Sequence, residues 1–274
     1  MSRTAIIAGT GPLPGLLAAA LTRSGEDFVL AEMEGFAAAV PGHDPLRFRL
    51  ERLVPFLDHL AGLGVGRVVF AGAIRRPRIE AELFDPRTAT LVPQILAALR
   101  SGDDGALGAA IAIFEEAGFE VLGADALAPD LVPGPGVLAG RPSAADEADV
   151  ARAAAIVAAL GGLDIGQGAV VAQGLCLAVE TLPGTDAMLG FVAGQGGALR
   201  PDPGGGRGVL YKAPKPGQDR RADLPMLGTA SLRAAHAAGL AGIAWEAGGV
   251  ILADRAAMVA EAAALGLFLW SRAP

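Results

Sequence analysis

The densest chemistry in the chain lies in residues 211–228, Tyr-Lys-Ala-Pro-Lys-Pro-Gly-Gln-Asp-Arg-Arg-Ala-Asp-Leu-Pro-Met-Leu-Gly. Pro214 and Pro216 stiffen a non-helical strip that carries two ammonium groups, Lys212 and Lys215, the guanidiniums of Arg220 and Arg221, and the carboxylates of Asp219 and Asp223. Cations screen the oxygens of a phosphate while a carboxylate holds a metal or orients water, a combination suited to phosphoryl cleavage. Lys212 and Lys215 are the only lysines among 22 basic residues, the rest being arginine. In a chain so rich in Ala, Gly, Pro and Arg, lysine drifts to arginine wherever either cation serves. A compact, flexible ammonium that persists there points to a role a planar guanidinium cannot fill. An exposed charged loop is the alternative.

Three further stretches offer polar groups beside glycines. Gly9-Thr10-Gly11, with Gly15, forms GxGxxxG, one residue off dinucleotide spacing, and a strand-to-helix glycine turn aims backbone N–H groups at an anion or makes a plain tight turn. Glu32 and Glu34 end the next strand, where a ribose-binding acid sits in dinucleotide folds. Phe70-Ala71-Gly72-Ala73-Ile74-Arg75-Arg76-Pro77 sets Gly72 and Arg76 at a strand end, where an arginine meets an anion or is simply solvated. Gly166-Gln167-Gly168 lets backbone approach a ligand closely, with Gln167 offering both donor and acceptor, and Gly184-Thr185-Asp186 either caps a helix or projects into a site. Ser101-Gly102-Asp103-Asp104 reads as a helix cap before it reads as a cation site.

Positioning these groups calls for alternating strands and helices. Residues 5–8, 28–31, 67–71 and 120–122 read as buried strands and 53–63, 90–100 and 105–117 as helices, which makes residues 1–128 a Rossmann-like α/β domain. Residues 129–142 hold four prolines and three glycines and read as a linker. A second α/β domain, 143–274, opens with a helix over 143–160 capped by Ser143. It continues with a hairpin, 169–172 and 175–179, turning at Gln173-Gly174, and then a glycine-rich loop over 194–208 expected to be mobile. A helix over 229–238, strands at 242–245 and 250–252, and a helix over 255–264 follow the charged strip. The fold class is thus α/β, two domains on either side of a Pro/Gly-rich linker.

Composition narrows the function further. A net charge of −7 argues against a nucleic-acid partner, and 52% hydrophobic residues exclude disorder. Cys176, the single cysteine, forms no internal disulfide, so a reducing, cytoplasmic setting is expected. Residues 4–22 carry no charge, but Gly9, Gly11, Pro12, Pro14 and Gly15 interrupt them and no membrane span is expected. The three histidines share no metal spacing, and GxSxG, HExxH and GxxxxGK[ST] are absent. One rival reading stays open: an NAD(P)-binding oxidoreductase using the Gly9 turn.

Taken together, the blocks resemble the LpxI type of UDP-2,3-diacylglucosamine pyrophosphatase, a family of lipid A biosynthesis. Ile-Ala-Gly-Thr-Gly-Pro-Leu-Pro at 7–14, Phe-Ala-Gly-Ala-Ile-Arg-Arg-Pro at 70–77 and Gly-Asp-Asp at 102–104 carry the resemblance in the first half. Leu-Asp-Ile-Gly-Gln-Gly-Ala-Val-Val at 163–171, Leu-Ala-Val-Glu at 177–180, Gly-Thr-Asp-Ala-Met-Leu at 184–189 and the 212–225 strip carry it in the second. The resemblance implies two α/β domains, a homodimer, and hydrolysis of UDP-2,3-diacylglucosamine to UMP and 2,3-diacylglucosamine 1-phosphate (lipid X) with Mg²⁺ or another divalent cation. It also implies that the catalytic aspartate of Asp-Leu-Pro falls on Asp223. By the same resemblance Asp223 binds the metal or orients water. The chemistry of the residues adds the remaining expectations: Lys212 and Lys215 neutralise the diphosphate, and Asp186, Gln167, Gly168 and Thr185 complete the polar site. The Gly9-Thr10-Gly11 turn faces the nucleotide half, Gly72 and Arg76 bind substrate, and membrane contact is at most peripheral, at the inner membrane; against this reading stands a non-catalytic UDP-sugar-binding protein.

Overall fold

The computed structural model describes residues 2–74, 77–100 and 102–274. The chain divides into two compact units, Met1–Pro129 with Asp219–Asp223, and Asp130–Gln218 with Leu224–Pro274. Among the described residues no helix is long and apolar enough to cross a membrane.

The first unit is built on β1 (Arg3–Ala8), α1 (Leu13–Ser24), β2 (Phe28–Met33), β3 (Leu46–Phe48), α2 (Leu53–Gly62), β4 (Val65–Ala71), α3 (Val92–Arg100), α4 (Gly102–Glu116), β5 (Glu120–Leu122) and α5 (Ala124–Leu127). Its strands pair in the order β3-β2-β1-β4-β5, all parallel. Strands buried on both faces read as unbroken apolar runs, as Ala5-Ile6-Ile7-Ala8 does. Ala5, Ile7, Val29, Ala31 and Val68 pack under Phe56, Leu60, Ile111 and Phe114 of α2 and α4. Ile6, Leu30 and Val69, of opposite parity, are buried too, and α1 packs on β1, β2 and β4. The chain winds outward from β1 to β3 and then returns to β4, so the order reverses between β1 and β4. Ligands of open α/β sheets bind at the carboxyl edge beside such a reversal.

The second unit comprises β6 (Gly136–Ala139), α6 (Ala144–Gly161), β7 (Gly168–Ala172), β8 (Leu175–Val179), α7 (Gly184–Gln195), β9 (Val209–Lys212), β10 (Met226–Leu227), α8 (Thr229–Ala237), β11 (Gly242–Glu246), β12 (Ile251–Leu252), α9 (Arg255–Leu265) and β13 (Phe268–Arg272). The main sheet runs β6-β13-β11-β9-β7-β8, parallel through β13, β11 and β9 and antiparallel outside them. Alternate residues face opposite layers. Leu210, Ile243, Trp245 and Leu269 join α7, α8 and α9 in one core, while Val209, Tyr211, Ala244 and Phe268 join α6 in the other.

Local chemistry explains several elements. Ser143 and Asp146 form the reciprocal capping box that starts α6. The β7–β8 hairpin turns at Gln173 and Gly174, both with positive φ, and buried Asp149 accepts from both their backbone N–H groups at 2.9 and 2.7 Å. The stretch read as a linker contains β6, whose neighbour Pro133 accepts from Ser271 Oγ at 3.3 Å. The glycine-rich loop expected to be mobile is tied down. Gln173 Nε2 donates to the Asp202 carbonyl at 2.7 Å, and Arg200 donates to the carbonyls of Arg207 and Ala238, each at 2.9 Å.

Candidate active site

In the second unit, Lys212 closes β9 with its side chain 7% exposed, between the end of β8 and the start of α7. Its Nζ lies 3.3 Å from each Glu180 carboxylate oxygen and donates to Thr185 Oγ1, which in turn donates to Glu180 Oε1 at 2.9 Å. Ammonium, hydroxyl and carboxylate thus close a buried ring whose net charge is zero. Gly166 and Gly168 leave room for Glu180. A Cβ on Gly166, whose φ is +56°, would overlap the Glu180 carbonyl, and one on Gly168 would stand 2.8 Å from Glu180 Oε2. Both glycines are approached closely by the chain's own Glu180. Lys212 fills the slot between Thr185 and Glu180 with a compact ammonium.

Lys215 is built differently. Its Nζ pairs with Asp164, a carboxylate 51% exposed on a residue with φ of 59°. Gln218 Oε1 accepts from the Lys215 backbone N–H at 2.9 Å and from Gln167 Nε2 at 2.8 Å, which folds residues 215–218 back onto the Gln167 loop. Asp186 stands exposed in the first turn of α7, one residue past Thr185, where a carboxylate favours the helix dipole.

In the first unit, the loops after β1 and β4 meet at the strand-order reversal. Thr10 and Ala73 exchange backbone hydrogen bonds, each 2.9 Å, and Thr10 Oγ1 adds one to the Ala73 carbonyl at 3.1 Å. Gly9 and Gly72 permit this approach: a Cβ on either would sit 2.5 Å from a carbonyl oxygen, of Ala73 or Thr10 respectively. Thr10 and Gly72 are therefore brought together, and the Thr10 N–H is spent inside the chain. Gly11 opens the turn into α1 with φ of 101°. Arg76 lies outside the described residues.

Asp223 belongs to the first unit, as the last residue of the segment 219–223. Arg221 anchors that segment, gripping Asp219 from Nε and Nη2 at 3.0 and 2.7 Å and reaching Glu115 of α4 from Nη1 at 2.6 Å. Ala222 packs on that unit's core. The Arg221 guanidinium holds the Asp219 carboxyl below its usual range, and the two carboxylates raise Arg221 in turn. Asp223 itself is half-buried. The expected catalytic aspartate thus stands on the unit of Gly9, Thr10, Gly11 and Gly72, whereas both lysines, Gln167, Gly168, Thr185 and Asp186 stand on the other.

The carboxyl edge of the first sheet also holds a cavity of about 350 Å³ beyond β2 and β3. Glu34, Phe36, Arg49, Leu50, Arg78 and Glu80 line it. Arg49 bonds Glu34 at 3.0 Å, Glu80 at 2.6 Å and buried Glu51 at 3.3 Å, and its pKa is raised by Glu80 first and Glu51 second. Burial pushes the Glu51 carboxyl up, but backbone N–H groups and Arg49 outweigh it and hold the group low.

The LpxI N-terminal domain model matches residues 3–131 and the LpxI C-terminal domain model residues 134–270. The chain belongs to the LpxI family. It is 40% identical to the UDP-2,3-diacylglucosamine pyrophosphatase LpxI of Caulobacter vibrioides, over 98% of this chain and 97% of that protein. Among the partners of the LpxI motif residues, Glu180, Asp164 and Gln218 escaped the sequence reading as site residues. Glu180 alone had a signal, a carboxylate closing an apolar strand, while the others are contacts between residues 51 apart in the chain.

Proposed function

We propose that the chain hydrolyses UDP-2,3-diacylglucosamine. Water attacks the α-phosphorus, a P–O bond to water forms as the bond to the bridging oxygen breaks, and UMP and 2,3-diacylglucosamine 1-phosphate separate, with the water proton passing to solvent or a base. The observation that carries this reading is the match over nearly the whole chain to a relative named for that substrate.

The donor set bears on the metal. Among the described residues no three His, Cys, Asp or Glu side chains gather into a cage. A Mg²⁺ ion fits without one, since it keeps waters and takes one or two carboxylates together with substrate phosphate oxygens. Asp223, half-buried at the end of the anchored 219–223 segment, would be its protein ligand. When bound, the ion neutralises charge on the diphosphate and polarises it. The chain's own residues supply the rest. Lys215, whose counter-ion Asp164 is half exposed, exchanges that carboxylate for a phosphate oxygen. Lys212, closed on Glu180 and Thr185, holds the start of α7 in place instead, and with it Asp186. In this reading the protein acts in the cytoplasm as a homodimer, touching the inner membrane only peripherally.

The test is release of UMP from UDP-2,3-diacylglucosamine by the wild type and by Asp223→Ala, with and without Mg²⁺. Positioned acid–base or metal-holding groups are worth about 10²–10⁴-fold in rate, so UMP release falls by at least about 10²-fold in the variant. No UMP from the wild type with any divalent ion overturns the reaction, and undiminished turnover in Asp223→Ala moves the role to Asp186.

A further inference from the structure

The cavity beyond β2 and β3 is used by nothing described so far. Its volume, about 350 Å³, lies in the range of small-molecule sites. It opens at the carboxyl edge of an all-parallel sheet, the edge at which such sheets take ligands. Glu34 directly follows β2, and it stands 23 positions after Gly11 of the glycine turn. In dinucleotide-binding sheets an acid about 20 residues beyond the glycine turn accepts from ribose hydroxyls. Glu34 keeps half of its side chain exposed, while Arg49 engages only Oε2. Phe36 and Leu50 give the same cavity apolar walls against which a planar base can lie. Arg78 and Arg49 bring positive charge to a rim otherwise lined by Glu34, Glu51 and Glu80, so the cavity is not simply an acidic cluster.

We infer that this cavity holds the nucleoside of a ribonucleotide, with the Glu34 carboxylate accepting from the ribose hydroxyls and Phe36 lying on the base. The inference rests on the reaction proposed above and deepens it by naming where the uridine half of the substrate sits.

The test is binding rather than turnover, so it stands or falls apart from the reaction. UMP and 2′-deoxy-UMP are titrated calorimetrically into the wild-type protein, Glu34→Gln and Phe36→Ala, each variant being checked for an unchanged melting transition. Hydrogen bonds to a charged group are worth about 1.5–3 kcal/mol, or roughly tenfold or more in affinity. The wild type therefore prefers UMP over its deoxy form by about tenfold, and Glu34→Gln loses that preference, binding both weakly. Phe36→Ala weakens both nucleotides alike and keeps the preference. A preference for the ribonucleotide that survives in Glu34→Gln overturns the inference, as does a wild-type protein that binds neither nucleotide. Ribose-selective binding through Glu34 in a protein that releases no UMP leaves the inference standing and removes the reaction. UMP release with Glu34 indifferent does the reverse.

Discussion

The two units gather charge at their sheet ends in opposite ways. In the first, Arg49 fans out to Glu34, Glu51 and Glu80 beside an open cavity, and Glu34 and Glu80 are 49% and 40% exposed. In the second, Lys212 and Glu180 are 7% and 12% exposed and close with Thr185 into a ring. Exposed ion pairs are worth little, so their members can exchange a partner for a ligand at small cost. Breaking a buried pair strands a charge in a poor solvent, so its members hold structure. The chain's two lysines differ in their partners rather than in their own burial: Lys212 and Lys215 are 7% and 12% exposed, but Glu180 is 12% exposed and Asp164 51%.

Removing each lysine's carboxylate makes the contrast measurable, and the largest effect belongs to the buried ring. Glu180→Ala leaves the Lys212 ammonium uncompensated and destabilises the protein by about 3–5 kcal/mol. Asp164→Ala, beside Lys215, costs less than about 1 kcal/mol. Urea unfolding of both variants against the wild type reads the difference. Equal losses would mean that Lys212 and Lys215 are anchored alike and that the division of roles between them is wrong.

The glycines test how tightly each region is built. Gly166→Ala collides with the Glu180 carbonyl at a positive φ, and strain of each kind costs about 1–3 kcal/mol. Gly11→Ala has the strained φ but open space around it, so it carries the backbone cost alone. Thermal melting should rank Gly166→Ala well below Gly11→Ala. The reverse order would sink the view that the Gly166 turn is packed against Glu180.

Much of this was legible in the residues, for reasons that differ by region. The α/β class and most strands followed from unbroken apolar runs such as Arg67-Val68-Val69-Phe70-Ala71, and the hairpin turn from Gln173-Gly174, because strand burial and turn backbone are local matters. Strand β13 was missed, although Phe268-Leu269-Trp270-Ser271-Arg272 is apolar enough, because it follows a helix end with only Gly266 and Leu267 between them. The docking of 219–223 on the first unit was not legible at all, since the Arg221–Glu115 bond joins residues 106 apart. The candidate site divided in the same way. The lysine pair announced itself by rarity, but its meaning was hidden, because nothing in Tyr-Lys-Ala-Pro-Lys says which carboxylate each ammonium meets or how exposed that carboxylate is. The Glu34 cavity needs β2, β3 and the segment after β4 at once, and only the assembled sheet edge brings them together.

The smallest effect concerns how Asp223 is presented. Asp219 is held below its ordinary carboxyl range, chiefly by its bond to Arg221. A carboxyl depressed in the folded state binds fewer protons there than in the unfolded chain, so its contribution is complete above the ordinary aspartate value and is lost as pH falls through the depressed one. The window therefore lies below about pH 4, and between about pH 5 and 8 the anchor is constant. The Arg221 side chain is 40% exposed, which limits each pair to less than about 1 kcal/mol after screening. Arg221→Ala should accordingly leave the melting temperature almost unchanged at neutral pH while loosening the 219–223 backbone. Amide hydrogen exchange reads that loosening directly: faster exchange confined to 219–223, with slower UMP release, means that Arg221 presents Asp223. Unchanged exchange there would mean that Ala222 packing holds the segment without the ion pairs.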